Sequence, residues 1–152
     1  MINDEIQSQI NKILKTIKEE HIQKIVVGAV IFLKPKSVLL LKRKSNDFMG
    51  GLIELPSGTV EKDEFLIDGL IREIKEETNL EIKSIDKFIG TFDYFSSSGK
   101  KTRQVNFVVS VTNNDIKLSD EHEAFYILSK DSEEFKTLNI SSKTKEIIEK
   151  SY

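Results

Sequence analysis

The stretch GTVEKDEFLIDGLIREIKEETNL, residues 58–80, places a helical pattern directly after a glycine-containing turn. Its apolar residues recur at spacings of three and four, which predicts a helix over residues 63–78 with one apolar face. Asp63 and Glu64 suit the positive N-terminal end of this helix, and Asn79 follows its last turn. With strand-like segments on both sides of it, the helix predicts a mixed sheet between helical layers.

Three acidic side chains, Glu73, Glu76 and Glu77, share one face of the predicted helix. A helix advances about 100° per residue, so these spacings place the side chains within an arc of about 100°. The arc borders the apolar face, where like charges repel and partial burial disfavours ionisation. A divalent cation removes that penalty, because Mg²⁺ is typically held by carboxylates together with substrate phosphates. Arg72 can hold one carboxylate in place, and Gly58 lets backbone groups approach the metal or a phosphate.

The spacing of these residues resembles the Nudix box, Gly-x5-Glu-x7-Arg-Glu-U-x-Glu-Glu-x-Gly-U, in which U is a bulky aliphatic residue. Asn79 stands where the family has glycine, and asparagine tolerates the left-handed conformation used after a helix end. The segments LLLKR and LPSG upstream also resemble the family, and the likeness extends with declining specificity over residues 24–128. The matching positions are Gly58, Glu64, Arg72, Glu73, Ile74, Glu76, Glu77 and Leu80.

The resemblance to this family, which includes MutT-like hydrolases, implies an α/β fold. The fold is an α/β/α sandwich with a mixed β-sheet, to which this chain adds an N-terminal helix. The resemblance also implies hydrolysis of a pyrophosphate bond in a nucleoside diphosphate linked to another moiety, with Mg²⁺ or Mn²⁺ as cofactor. A nucleoside triphosphate, oxidised or not, is the favoured substrate. ADP-ribose, nucleotide sugars and dinucleoside polyphosphates stay open, because selectivity comes from loops outside the box.

Roles for individual residues follow from the same resemblance. Glu73 is the first candidate for the general base, with Glu121 on a late loop as its rival. Arg43, Arg103 and Gly58 are predicted to contact substrate, and the alternative for the two arginines is charge on a strand face. The implied catalytic residues are Arg72, Glu73, Glu76, Glu77 and Glu121. The implied metal-site residues are Ser57, Glu64, Glu73, Glu76 and Glu77.

The rest of the chain shows alternating strand and helix patterns. An amphipathic helix is predicted in residues 1–22, ahead of a domain over residues 23–152, and it packs either on the domain or on a partner chain in a homodimer. Phe92, Tyr94 and Phe107 are expected in the core, since they alternate along strands. His122 is expected to be a loop residue. Strands are predicted as an antiparallel pair within residues 24–43 and then at 52–55, 87–94, 102–111 and 124–128, before a last helix that starts near Ser141 or Ser142.

Composition narrows the function classes. The 152 residues carry a formal net charge of −2, which provides no long-range basic field for a polymeric nucleic acid. The chain has no cysteine, so a metal needs oxygen or imidazole ligands. The isomerisation of isopentenyl diphosphate, which uses the same fold, is disfavoured because it needs a catalytic cysteine. The N-terminal residues resemble neither a signal sequence nor a membrane span, so we expect a cytoplasmic protein with a small-molecule partner.

Two non-enzymatic interpretations remain open on the sequence. One is a Nudix-like domain that binds a nucleotide and regulates another process; such domains commonly lose box glutamates, whereas this chain keeps all of them. The other is an interaction domain that uses the N-terminal helix as a dimer arm. The second interpretation predicts no Mg²⁺-dependent turnover of any substrate.

Overall fold

A computed structural model describes residues 2–47 and 49–152, and within them the chain forms four helices and seven strands. Met1 and Phe48, which the predicted segments include, lie outside the described residues. The elements are, in chain order, α1 Asp4–Glu19, β1 Lys24–Lys34, β2 Ser37–Arg43, β3 Ile53–Glu54, β4 Ser57–Thr59, α2 Leu66–Thr78, β5 Ile82–Phe95, β6 Lys101–Val111, β7 His122–Ser129, α3 Glu133–Thr137 and α4 Ser142–Lys150.

The strands form a mixed sheet, as the resemblance implies. The main order is β3-β2-β1-β6-β5, with β4 paired to β1 and β7 paired to β2. The β1 and β6 strands run parallel, whereas β1 and β2 form the predicted antiparallel pair. Strand β4 lies antiparallel to β1, with Gly58 opposite Val27. This pairing holds the start of the box against the centre of the sheet, directly ahead of α2.

Side chains that alternate along the strands divide the core into two layers. Successive residues of a strand point to opposite faces of the sheet. Val27 and Leu39 therefore belong to a cluster with α1 and α2, and Val30 and Leu40 belong to a second cluster with α3 and α4. Apolar layers on both faces, each covered by helices, make the α/β/α sandwich.

Helix α2 begins later than the sequence pattern predicts. It starts at Leu66 rather than at Asp63, because Asp63 adopts a left-handed backbone conformation with φ 67°. Residue 79 ends the helix as expected: Asn79 is left-handed, with φ 68°, and its backbone N–H donates to the carbonyl of Lys75. Asparagine thus occupies the conformation that the glycine of the box would adopt.

Other differences concern short elements. The strand predicted at residues 52–55 is limited to Ile53–Glu54, and the strand predicted at residues 87–94 extends over Ile82–Phe95. The sequence analysis did not predict β4 or α3, because three and five residues are too few to show a period. Ser141 caps α4 as expected, since its Oγ accepts a hydrogen bond from the backbone N–H of Thr144.

Helix α1 packs on the sheet of its own chain. Its buried residues Ile6, Ile10, Ile13 and Ile17 belong to the same apolar cluster as α2 and β1. The apolar stripe is therefore covered by the domain itself, so the fold needs no partner chain to bury it. Among residues 2–47 and 49–152, every helix is too short or too polar to cross a membrane.

Candidate active site

A cavity of about 610 Å³ opens beside the box. Its walls come from the strands β1 to β6, from α2 and α4, and from the loop that precedes β7. Of the residues predicted to form the site, those that line this cavity are Arg43, Ser57, Gly58, Glu73, Glu77 and Glu121. The tertiary structure thus brings together side chains that lie up to 78 positions apart in the sequence, from Arg43 to Glu121.

The box glycine gives Glu73 the space for its carboxylate. A Cβ atom added to Gly58 would lie 2.0 Å from Cδ and Oε2 of Glu73, which is closer than real Cβ contacts. Strand β4 passes under α2 at this point, so any side chain at residue 58 displaces the carboxylate. The glycine of the box is therefore required by a close approach between a strand and a helix.

Arg72 contacts three glutamates. We call these four residues the Arg72 cluster: Arg72, Glu64, Glu73 and Glu76. Its Nε and Nη2 lie 2.8 Å and 2.9 Å from the two carboxylate oxygens of Glu64. Its Nη1 donates to Glu73 at 2.8 Å and to Glu76 at 3.2 Å. The carbonyl of Thr59 accepts a further bond at 3.0 Å. The planar guanidinium group therefore fixes the carboxylate of Glu73 from one side.

Arg72 compensates part of the negative charge within the Arg72 cluster. The hydrogen bonds from Arg72 lower the pKa of Glu64 to about 2, and the bonds to Glu64 in turn raise the pKa of the guanidinium group. The pKa of Glu73 is raised, because burial outweighs its hydrogen bond to Arg72 and because Glu76 and Glu121 are near. Both oxygens of Glu64 are used by Arg72, and neither Glu64 nor Glu76 lines the cavity.

Glu77 lies in a different environment, beside two other glutamates and a histidine. We call these four residues the Glu77 group: Glu77, Glu54, Glu121 and His122. Only 5% of Glu77 is exposed, and Oε1 accepts a hydrogen bond from the backbone N–H of Ser57 at 2.8 Å. Burial raises the pKa of Glu77 to about 9, and the charges of Glu54, Glu121 and Glu73 act in the same direction. The carboxylate needs a compensating cation to ionise at neutral pH.

Two members of the Glu77 group were missed by sequence analysis. We predicted that His122 is a loop residue, but it begins β7, and its side chain is fully buried. Its Nε2 lies 2.8 Å from Oε2 of Glu54, which also accepts a bond from Arg43 at 3.2 Å. The pairing of β7 with β2 turns His122 inward. Charged neighbours on both sides of His122 left no periodic signal that predicts this orientation.

The donor set fits a divalent cation. One ligand atom each from Glu77, Glu121 and His122 lies within 4.8 Å of the others. Within the described part of the chain, Nδ1 of His122 is the buried side-chain polar atom that has no hydrogen-bond partner. Carboxylate oxygens and an imidazole nitrogen are ligands for divalent metals, and a cation would satisfy this atom and the buried carboxylate together.

The two arginines predicted to contact substrate are placed differently. Arg43 lines the cavity and is paired with Glu54 and Asp47. Arg103 does not line it: Nε lies 2.7 Å from Asp93, and Nη2 lies 3.0 Å from Glu20 at the end of α1. Adjacent residues of a strand face opposite sides, so its neighbour Gln104 lines the cavity instead. Arg103 therefore connects α1 to the sheet, away from the cavity.

Aromatic side chains form part of the cavity wall. Phe92 and Tyr94 both line the cavity, with ring centroids 6.1 Å apart and an angle of 41° between the rings. Burial raises the pKa of the Tyr94 hydroxyl to about 12, so it remains protonated at neutral pH. Of the three aromatic residues expected in the core, Phe107 is fully buried as predicted. The other two offer flat apolar surfaces on which a nucleobase can stack.

Comparison with known proteins agrees with this geometry. A family model described as the NUDIX domain matches residues 23–149. The ADP-ribose pyrophosphatase of Methanocaldococcus jannaschii is 35% identical over 92 residues, which cover 58% of this chain and 52% of that relative. The chain thus matches about half the length of this curated relative.

Solved structures share the fold. The crystal structure of the MutT protein from Methanosarcina mazei Go1 has a TM-score of 0.72 and 28% identity, covering 83% of this chain and 90% of that one. The Ap4A hydrolase of C. elegans has a TM-score of 0.70 at 23% identity, covering 85% and 95% of the two chains, a likeness of fold alone. The family model matches most of this chain, and the box residues are arranged as the family pattern requires. The chain therefore belongs to the Nudix family.

Proposed function

We propose that this protein is a Nudix pyrophosphohydrolase, which uses a divalent cation to hydrolyse the diphosphate bond of a nucleoside diphosphate linked to another group. The observation that carries the proposal is the convergence of Glu73, Glu77 and Glu121 on one cavity. Glu77 is buried and Glu73 is half-buried, and carboxylates that converge against a core repel one another, so the site is organised for a cation.

The cation would be Mg²⁺, with Mn²⁺ as a substitute. When bound, it supplies charge neutralisation and polarisation of the phosphoryl oxygens. Glu73, Glu76 and Glu77 are its proposed box ligands, with Ser57 and Glu121 beside them. Glu64 contributes by holding Arg72, since Arg72 occupies both of its carboxylate oxygens.

Glu73 is our first candidate for the general base. Its carboxylate is half-buried and its pKa is raised. A hydrogen bond of 2.8 Å from Nη1 of Arg72 to Oε1 fixes its orientation. A raised pKa makes the carboxylate a stronger base than an exposed glutamate, which favours proton removal from an attacking water molecule. Glu121 is the rival candidate, because it lines the same cavity from the loop before β7.

The rest of the cavity suits a nucleotide-like substrate. Its volume of about 610 Å³ is in the usual range for small-molecule sites. Phe92 and Tyr94 provide apolar surface for a base, and Arg43 and Lys143 provide positive charge for phosphates. A nucleoside triphosphate, oxidised or not, is the proposed substrate. ADP-ribose is the second candidate, because it is named for the relative from Methanocaldococcus jannaschii.

A substrate panel tests the proposal. Nucleoside triphosphates, their oxidised forms, ADP-ribose, a nucleotide sugar and a dinucleoside polyphosphate are incubated with Mg²⁺, and the products are identified by chromatography. We expect at least one compound to be hydrolysed at its diphosphate bond. Glu77→Gln should lower kcat/KM by about 100-fold or more, since it removes a buried cation ligand.

A matched control separates the site from the general charge of the protein. Glu149→Gln changes an exposed glutamate of α4 that does not line the cavity, so activity should stay within about two-fold of the unmodified protein. Binding of a panel compound without turnover would support a nucleotide-binding regulator and contradict the proposed hydrolase. Full activity of Glu77→Gln would contradict the site assignment.

A further inference from the structure

One ring nitrogen of a buried histidine faces the carboxylates of the Glu77 group. The side chain of His122 is fully buried, and its Nδ1 lacks a hydrogen-bond partner among residues 2–47 and 49–152. Leaving a buried polar atom unpaired costs free energy, so such atoms in folded proteins usually serve a ligand, an ion or a water molecule. The Nδ1 atom therefore marks a position at which something else binds.

The other ring nitrogen fixes the tautomer of His122. Its Nε2 lies 2.8 Å from Oε2 of Glu54, and the same carboxylate is held by Arg43. A carboxylate paired with arginine accepts hydrogen bonds, so Nε2 is the donor, and the neutral form of such a ring has its lone pair on Nδ1. Metal-binding histidines are commonly oriented in this way, with the second nitrogen donating to a carboxylate. Glu54 is thus a positioning residue for the imidazole ring.

Distances around the lone pair fit one ion. Nδ1 of His122 lies 3.9 Å from Oε2 of Glu77. Two ligands that are each about 2.1 Å from an octahedral ion lie between about 3.0 Å and about 4.2 Å apart. Glu121 has its ligand atom within 4.8 Å of both groups, and its side chain is exposed enough to rotate towards them.

We infer that Nδ1 of His122 is a cation ligand beside Glu77 and Glu121, and that it strengthens the binding of transition-metal dications such as Mn²⁺ more than the binding of Mg²⁺. Imidazole nitrogen suits transition metals, whereas Mg²⁺ favours a shell of oxygen ligands. The box contributes carboxylates to the cation, and His122 lies outside it. The inference rests on the proposed function only in that Glu77 binds the catalytic cation.

Pulsed electron paramagnetic resonance of bound Mn²⁺ tests the inference without any turnover. A nitrogen atom coordinated to Mn²⁺ modulates the electron spin echo, and labelling histidine with ¹⁵N changes that modulation in the unmodified protein. We expect a coordinated imidazole nitrogen in the full chain. Since the chain has two histidines, the signal can be assigned with two variants.

His122→Gln is the test variant and His21→Asn is its control. Glutamine places an amide N–H near the position of Nε2, which preserves the bond to Glu54 while Nδ1 is lost. Asparagine tolerates the left-handed backbone of His21, which has φ 55°. The nitrogen signal should vanish in His122→Gln and persist in His21→Asn. The Mn²⁺ dissociation constant of His122→Gln should rise by about ten-fold or more, with a smaller change for Mg²⁺.

Each alternative result is informative. Mn²⁺ that binds without nitrogen modulation in the unmodified protein overturns the inference and leaves the proposed function intact. A signal that disappears in His21→Asn also overturns it. If neither Mn²⁺ nor Mg²⁺ binds and the substrate panel is not hydrolysed, the inference and the proposed function both fail. The labelled unmodified protein keeps the test decisive if His122→Gln does not fold.

Discussion

The Arg72 cluster and the Glu77 group each take glutamates from α2, but the electrostatic environments of these glutamates are opposite. In the Arg72 cluster a guanidinium group accompanies the glutamates, and the pKa of Glu64 falls to about 2. In the Glu77 group burial and neighbouring carboxylates raise the pKa of Glu77 to about 9. One half of the site therefore has a positive charge from the protein beside its carboxylates, and the buried carboxylate of the other half is organised for a cation from solution. Arg72 and Glu64 thus hold the carboxylate of Glu73 in place, whereas the carboxylate of Glu77 is organised to bind the cation directly.

Among the variants that compare the two halves, Gly58→Ala should have the largest effect, because it displaces Glu73 next to both of them. The added Cβ would lie 2.0 Å from the carboxylate of Glu73 and would push it away from Arg72. Misplacing a catalytic group by about 1 Å can cost about 100-fold, so we expect a loss of that order in kcat/KM. Steady-state kinetics of Gly58→Ala, Glu73→Ala and the double variant measure it. Additive losses in the double variant would show that residue 58 acts independently of Glu73.

Arg72→Lys should have the next largest effect. Lysine cannot bind Glu64 through two parallel bonds while also holding Glu73, so the orientation of Glu73 is lost. We expect kcat to fall by about ten-fold or more, with retained folding by circular dichroism. Lys75→Arg, a change of the same size at an exposed residue of α2, is the control. Unchanged kcat in Arg72→Lys would remove the distinction between the two halves.

The stability of the metal-free protein should depend on pH through Glu77. Its folded pKa of about 9 is above the ordinary value of 4.5, so its stabilising contribution is complete below pH 4.5. That contribution declines as the pH rises towards about 9, because the unfolded chain ionises first. Thermal unfolding in a chelator between pH 5 and pH 9 measures the decline. Glu77→Gln should flatten the profile, and an identical slope in both proteins would contradict the pKa assignment.

Substitution of Arg103, whose ion pairs lie outside both halves, should show the smallest effect on activity. Arg103 binds Asp93 and Glu20 and connects α1 to the sheet. Arg103→Gln should lower Tm by a few degrees, because α1 loses an anchor, and leave kcat/KM within about two-fold. Differential scanning calorimetry and kinetics check both parts. A large rise in KM without a change in Tm would return Arg103 to the substrate-binding residues.

Much of the site could be predicted from local patterns. Helical periodicity places Glu73, Glu76 and Glu77 on one face, and the helix does present them together with Arg72. Local patterns do not place Arg103, because the side of a strand that faces the cavity depends on register with neighbouring strands. Local patterns also did not predict the contact between Glu54 and His122, because only the pairing of β2 with β3 and β7 brings these two residues together.

The sequence by itself determined the acidic helix and the glycine ahead of it. It also determined the alternation that makes a two-layered core. The helix and the alternation depend on periods of 3.6 and 2.0 residues within single segments. Only the tertiary structure decided which carboxylate pairs with arginine and which lies buried beside a histidine. Those environments arise where β4, α2 and β7 meet. Burial and charge compensation are properties of that meeting, so no single segment encodes them.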